Sequence, residues 1–280
     1  MTDFAITGCN GQLGRALVLQ ARARGLAVSA HDVDTLDIRS EAAVEAWITA
    51  ERPSVVMNCA AYTAVDAAEH DEAAAHAVNA TAVGILAKAS AAVDARLVHV
   101  STDYVFDGSA AEPYRESDPT CPTSAYGRSK LAGEREAARC DRHLIVRTAW
   151  LYGIGGRNFV EAIRRQILSG RERLRVVADQ RGCPTFCDDL AGSILDLVDA
   201  DAQGVVHAVN VGETTWHGFA TAIVRGLGAS TPVDPVGTEE FPTPARRPAY
   251  SVLATDRLHR LIGRRLPPWE DALNRYLERT

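Results

Sequence analysis

The stretch Asp3-Phe4-Ala5-Ile6-Thr7-Gly8-Cys9-Asn10-Gly11-Gln12-Leu13-Gly14 decides how the chain folds. Asp3–Thr7 reads as a short strand, and Gln12–Arg24 carries Leu, Ala and Val at helical spacing. Glycines 8, 11 and 14 stand three apart between them. That spacing differs from the G-x-G-x-x-G dinucleotide fingerprint but serves the same physics. Gly8 takes the tight turn, Gly11 lets backbone approach a pyrophosphate, and Gly14 allows close helix-strand packing. Gln12 and Leu13 open the helix, whose N-terminus offers unpaired N–H groups to phosphate.

Outward from this unit the pattern repeats. Ala27–His31, Ser54–Asn58, Arg96–Val100 and Leu144–Arg147 read as strands, and Ser40–Glu51, Val65–Val93 (broken near Asp71) and Ser124–Arg139 as helices, with Ser40 and Ser124 as N-caps. Alternation of this kind implies parallel strands joined by crossover helices. The strands are nearly continuous apolar runs, as expected when helices cover both faces of a sheet. The fold class is therefore α/β, a doubly wound parallel Rossmann-type sheet, with a smaller C-terminal substrate-binding domain. Beyond Trp150 the spacing predicts helices over 158–168, 188–198, 216–227, 256–262 and 269–279, strands over 174–178 and 205–209, and a Pro- and Gly-rich loop over 230–248. Residues 1–150 are expected to bind the dinucleotide, with 186–212 returning to that domain, and 151–185 and 213–280 to bind substrate.

The chain has 280 residues, 46% of them hydrophobic, enough for a sizeable core. A net charge of -6 gives no electrostatic reason to expect nucleic acid or an anionic membrane as partner. No basic leader or long apolar run is evident, so a cytoplasmic location is expected, with the six scattered cysteines as free thiols. Cys183 and Cys187 lie four apart, but no second Cys/His pair stands at zinc spacing, and no metal is expected. Asn79-Ala80-Thr81 matches a glycosylation sequon that a cytosolic chain never presents for modification.

Chemistry gathers at two places. Ser101-Thr102-Asp103-Tyr104 follows the fourth strand, so its hydroxyls and carboxylate emerge at a strand C-terminus, where open α/β sheets bind ligands. Tyr126-Gly127-Arg128-Ser129-Lys130 begins a helix and puts phenol and ammonium on one face. A phenol titrates near 10, and a neighbouring ammonium is expected to lower that value. Asp32 ends the second strand eighteen residues beyond Gly14, where an acid commonly bonds the ribose of NAD. Asp37-Ile38, in the next turn, is a further candidate for the adenine end.

In order and spacing, the glycine turn, Thr102 and Tyr126-x-x-x-Lys130 resemble the extended short-chain dehydrogenase/reductase superfamily. Gly11–Gly14, Asn58–Glu69, Ser101–Gly108, Arg147–Tyr152, Asp179-Gln180-Arg181-Gly182-Cys183-Pro184-Thr185 and Arg247-Pro248 followed by Ser251 resemble the dTDP-4-dehydrorhamnose reductase family, across most of the chain. The resemblance implies NADPH or NADH as cofactor. Gly11, Gln12 and Leu13 would meet the pyrophosphate, Asp32, Asp37 and Ile38 the adenosine, and Ala60, Ala61, Tyr62 and Val100 the rest of the cofactor. Thr102 and Asp103 would face the sugar, Tyr126 and Lys130 would handle the proton, and Trp150 would pack on the sugar nucleotide. Tyr62 departs from the pattern, since a His often stands there. Arg246 and Arg247 are candidates for the substrate diphosphate. The short C-terminal part leaves little room for the acids that bridge magnesium-linked dimers in some relatives.

The implied reaction is reduction of the C4 ketone of a dTDP-6-deoxy-4-hexulose, for rhamnose or for a deoxysugar of secondary metabolism, by a monomer or weak homodimer. Sugar-nucleotide dehydratases and epimerases are the nearest rivals, but such dehydratases follow Asp with Glu, where this chain has Tyr104. A non-catalytic role, as in the regulatory subunit of methionine adenosyltransferase, is the reading of another class; the intact Thr102, Tyr126 and Lys130 argue against it.

Overall fold

A computed structural model describes residues 2–280. The chain runs β1 (Phe4–Thr7), α1 (Gln12–Ala23), β2 (Val28–His31), α2 (Glu41–Glu51), β3 (Val55–Asn58), α3 (Val65–Ala68), α4 (Glu72–His76), α5 (Ala82–Ala92), β4 (Arg96–Thr102), α6 (Ala125–Ala137) and β5 (His143–Thr148). It continues through β6 (Leu151–Tyr152), α7 (Phe159–Leu168), β7 (Leu174–Val177), β8 (Arg181–Gly182), β9 (Thr185–Phe186), α8 (Cys187–Asp199), β10 (Gly204–His207), β11 (Thr214–Thr215), α9 (Trp216–Gly226), β12 (Val233–Val236), α10 (Asp256–Ile262) and α11 (Trp269–Leu277). Ser40 and Ser124 cap α2 and α6, their hydroxyls accepting from the N–H of Ala43 and Gly127.

The main sheet is parallel, in the order β10-β5-β4-β3-β1-β2. From β1 the chain steps outward to β2, then returns across β1 to β3. Loops leaving β1 and β3 therefore diverge and open a crevice at the strands' carboxyl ends. Phe4, Ile6, Met57, Val98, Leu144 and Val146 pack under α1 and α8, while Ala5, Val56, Leu97 and Ile145 pack under α2 and α5. Each strand thus buries both faces, which is why its sequence does not alternate. Every fully buried Val, Leu or Ile here contributes roughly 1.5–3 kcal/mol. A third core joins α7, α9 and α11 through Tyr152, Phe186, Phe219, Trp269 and Tyr276.

Two segments depart from expectation. Residues 230–248 are not all loop: β12 pairs in parallel with β7, and Thr238–Glu240 form a 3-10 turn. Pro235 inside β12 disguised it, since Pro is tolerated on a strand that needs its N–H on one side only. The helix over 65–93 does break at Asp71, whose carboxylate accepts from Ala74 N at 2.9 Å. It also contains a π turn, Ala77–Thr81, that no sequence pattern announced.

Candidate active site

Every residue expected to hold cofactor or substrate, the exposed Arg246 excepted, lines one cleft of about 970 Å³ at the carboxyl end of the sheet. At its floor Gly8 has φ +67, and a Cβ there would come within 2.6 Å of Ala60 N. A Cβ on Gly14 would reach 2.1 Å from Gly8 O, so α1 can approach the turn only without one. Gly11 caps α1 with no side chain, which leaves the N–H groups of the first turn open to an anion. The cradle fits a dinucleotide pyrophosphate. Asp32 sits at the end of β2 and accepts from Asn10 N and Val33 N, both at 2.8 Å, so it also ties β2 to the glycine turn. Asp37 is gripped by the Arg39 guanidinium at 2.7–3.1 Å, which holds its carboxyl below the usual range. Ile38 is buried beside it.

Farther along, Ala60, Ala61 and Tyr62 form one wall, fixed from behind by Asn79. The Asn79 carboxamide accepts from Tyr62 N at 2.8 Å and donates to Tyr62 O at 3.0 Å and to Ser129 Oγ at 2.9 Å. The π turn explains this: one extra residue in the turn brings Asn79 to bear on both the loop and α6. In the sequence Asn79 stands out only as part of a glycosylation sequon.

Val100 and Thr102 carry β4 into the cleft. Thr102 Oγ1 donates to Asp103 Oδ1 at 2.9 Å, while Asp103 Oδ2 is buried with no well-formed hydrogen bond, the Ser251 hydroxyl lying near the carboxyl. Burial pushes the Asp103 carboxyl up to about 6. Tyr126 packs edge-on against Tyr104, centroids 5.5 Å apart. Burial first, then the Asp103 carboxylate, raise its phenol above the ordinary tyrosine value. The expectation of a lowered Tyr126 value is therefore corrected, because burial dominates at this phenol. Lys130 Nζ donates to Val100 O at 2.7 Å and lies 3.5 Å from His99 Nε2. Buried at 2% exposure, Lys130 is itself pushed down to about 8. One turn on, Glu134 holds Arg147 in a two-pronged pair at 2.7 and 2.8 Å and accepts from Ser101 Oγ.

The opposite wall holds Trp150, which adopts φ +47, a left-handed conformation unusual for a bulky residue. Its indole is clamped face to face with Trp216 at 3.5 Å and covers Gly182, where a Cβ would stand 2.5 Å from Trp150 Cε2. Arg247 does not stand free for a diphosphate: it donates to Asp66 Oδ2 at 2.8 Å and to Tyr104 OH at 3.2 Å. Trp216, Arg157, Thr148 and Arg39 also line the cleft and were not singled out from sequence. They lie far from the motifs, and only folding collects them. Among the described residues no group of His, Cys, Asp and Glu gathers as a metal site, and no helix is long and apolar enough to cross a membrane.

A dinucleotide cradle, a Thr at the end of β4 and a Tyr-Lys pair on α6 define a nicotinamide-dependent oxidoreductase of the short-chain type. The family model "RmlD substrate binding domain" matches residues 2–280. A dTDP-4-dehydrorhamnose reductase of Burkholderia thailandensis is 42% identical, covering 96% of this chain and 95% of the relative. A solved dTDP-4-dehydrorhamnose reductase of Bacillus anthracis, in complex with NADP, superposes with a TM-score of 0.96 at 39% identity over 100% of both chains. A probable dTDP-4,6-dihydroxy-2-methyloxan-3-one 4-ketoreductase of Streptomyces antibioticus is 45% identical, over 96% of this chain and 92% of the relative. The chain belongs to the dTDP-4-dehydrorhamnose reductase family.

Proposed function

We propose that the chain reduces the C4 ketone of dTDP-4-dehydrorhamnose to give dTDP-L-rhamnose, using NADPH or NADH. When bound, the reduced nicotinamide supplies hydride to that carbon. Tyr126, kept protonated at neutral pH by its buried setting, gives its proton to the developing alkoxide. Thr102 turns its hydroxyl from Asp103 Oδ1 to donate a hydrogen bond to the same oxygen, and Lys130 balances the phenolate that forms. Asp103 accepts from a sugar hydroxyl through Oδ2, and the Trp150–Trp216 stack forms a platform for the sugar nucleotide. Arg247 reaches the diphosphate by exchanging Asp66 for it. Residues 1–150 with 186–212 hold the cofactor, and 151–185 with 213–280 the substrate; the protein works in the cytoplasm as a monomer or weak homodimer.

The observation that carries this reading is the convergence of Thr102, Tyr126 and Lys130 on the cleft that contains the glycine cradle. Position 104 separates it from a dehydratase. Tyr104 hydrogen-bonds Arg247 and buttresses Tyr126, so no carboxylate stands there to take a C5 proton. The test is loss of reduced-nicotinamide absorbance with dTDP-6-deoxy-L-lyxo-4-hexulose, NADH and NADPH in parallel. Oxidation with formation of dTDP-L-rhamnose supports the proposal. Cofactor binding without oxidation overturns it.

A further inference from the structure

Beside Lys130, at the carboxyl end of the sheet, three polar residues stand in register, and the first of them, Thr7, lines the cleft. Thr7 on β1 pairs with Asn58 on β3, and Asn58 with His99 on β4. All three are buried, at 0%, 1% and 0% exposure, one step beyond the apolar row Ala5, Val56 and Leu97. Such a row costs stability unless every group is paired. Here the Thr7 hydroxyl donates to Asn58 Oδ1 at 2.7 Å, Asn58 Nδ2 faces His99 Nδ1 at 3.1 Å, and His99 Nε2 lies 3.5 Å from Lys130 Nζ. The chain of contacts ends on the ammonium of the Tyr-Lys pair.

We propose that His99, oriented by Asn58 and Thr7, is a positioning residue that holds Lys130 in place and favours its charged form. This rests on the reading of Lys130 as the group that balances Tyr126. A neutral imidazole has a single N–H. To accept from an ammonium, Nε2 must be bare, so Nδ1 carries the hydrogen and Asn58 must turn its carboxamide oxygen toward it. The Asn58 amino group then donates to Thr7 Oγ1. The proposal thus turns the Asn58 carboxamide over from its placement, in which Oδ1 faces Thr7 and Nδ2 faces His99; its two ends have the same shape, so the space is unchanged. One polarity of the row therefore suits the charged lysine, and the reverse polarity, with hydrogen on Nε2, opposes it. Burial and the charge of Lys130 keep His99 neutral.

The titratable groups around Lys130 are Tyr126 and Glu134 on its own helix, Cys59 after β3, His99 on β4 and Asp103 beside Tyr126. Glu134 is committed to Arg147, while Glu69 and Glu72, from α3 and α4, are bound to Ala125 N and Arg128. His99 is thus the side-chain acceptor left to the ammonium.

Two measurements test this. In cofactor-free protein labelled with 15N-histidine, the signal assigned to His99 by its loss in His99→Gln should show Nδ1 protonated and Nε2 bare. The opposite tautomer would overturn the proposal, whatever the sugar substrate proves to be. The second is the pH profile of kcat/KM for the cofactor. His99→Leu should move the alkaline limb down by about one pH unit, a tenfold loss at the wild-type midpoint. His99→Gln, whose amide oxygen reaches the place of Nε2, should restore it. An unshifted limb in His99→Leu, or no restoration in His99→Gln, would reduce His99 to a packing residue.

Discussion

Lys130 and Glu134 sit one turn apart on α6, both buried, and show two ways of keeping a charge inside a protein. Glu134 is matched: two guanidinium nitrogens of Arg147 and the Ser101 hydroxyl satisfy its oxygens. Lys130 has a carbonyl and an imidazole but no committed counter-ion, and burial drags it down to about 8. The matched charge clips the second half of α6 to β5. The unmatched one stays titratable, beside a phenol that must lose and regain a proton. A perturbed ionisable group in a cleft marks function more reliably than a paired one does.

The largest effect should come from the group that moves the proton. Tyr126→Phe is expected to lower kcat by about 10²–10⁴-fold, leaving cofactor affinity and melting temperature near wild type. A variant with near-normal turnover would remove Tyr126 from the chemistry. On the matched side the effect should fall on stability instead. Glu134→Leu strands the Arg147 charge and should cost about 3–5 kcal/mol in denaturant unfolding, whereas Glu134→Leu with Arg147→Met should recover most of that loss. If the single variant is as stable as wild type, the pair is not what fixes α6.

The local parts of this arrangement were legible in the sequence. Glycines 8, 11 and 14, the apolar strands and the Tyr-x-x-x-Lys spacing each act within a few residues, and periodicity displays them. What stayed hidden depends on distant partners. His99 is one polar letter in the run Leu97-Val98-His99-Val100, and its partners come from β1 and β3. Asn79 matters through a π turn that has no propensity signature. Pro235 argued against a strand that forms because β7 is there to receive it. Sequence makes Arg247 a candidate for the diphosphate, but Asp66, distant in sequence, claims it. Trp150 was expected in the cleft, but the Trp216 and Gly182 surfaces that hold its indole come from other elements.

The most direct test of the contrast on α6 is the pH dependence of kcat/KM for the cofactor, which reports ionisations of the free enzyme. Asp103 titrates near 6 and is needed as carboxylate, so activity should rise through that value, and Asp103→Asn should lose this limb. Lys130 is needed as ammonium, and its depressed value puts the falling limb near pH 8, about tenfold per pH unit beyond it. A profile that stays flat through and beyond pH 8 would show that Lys130 is not the poised charge described here.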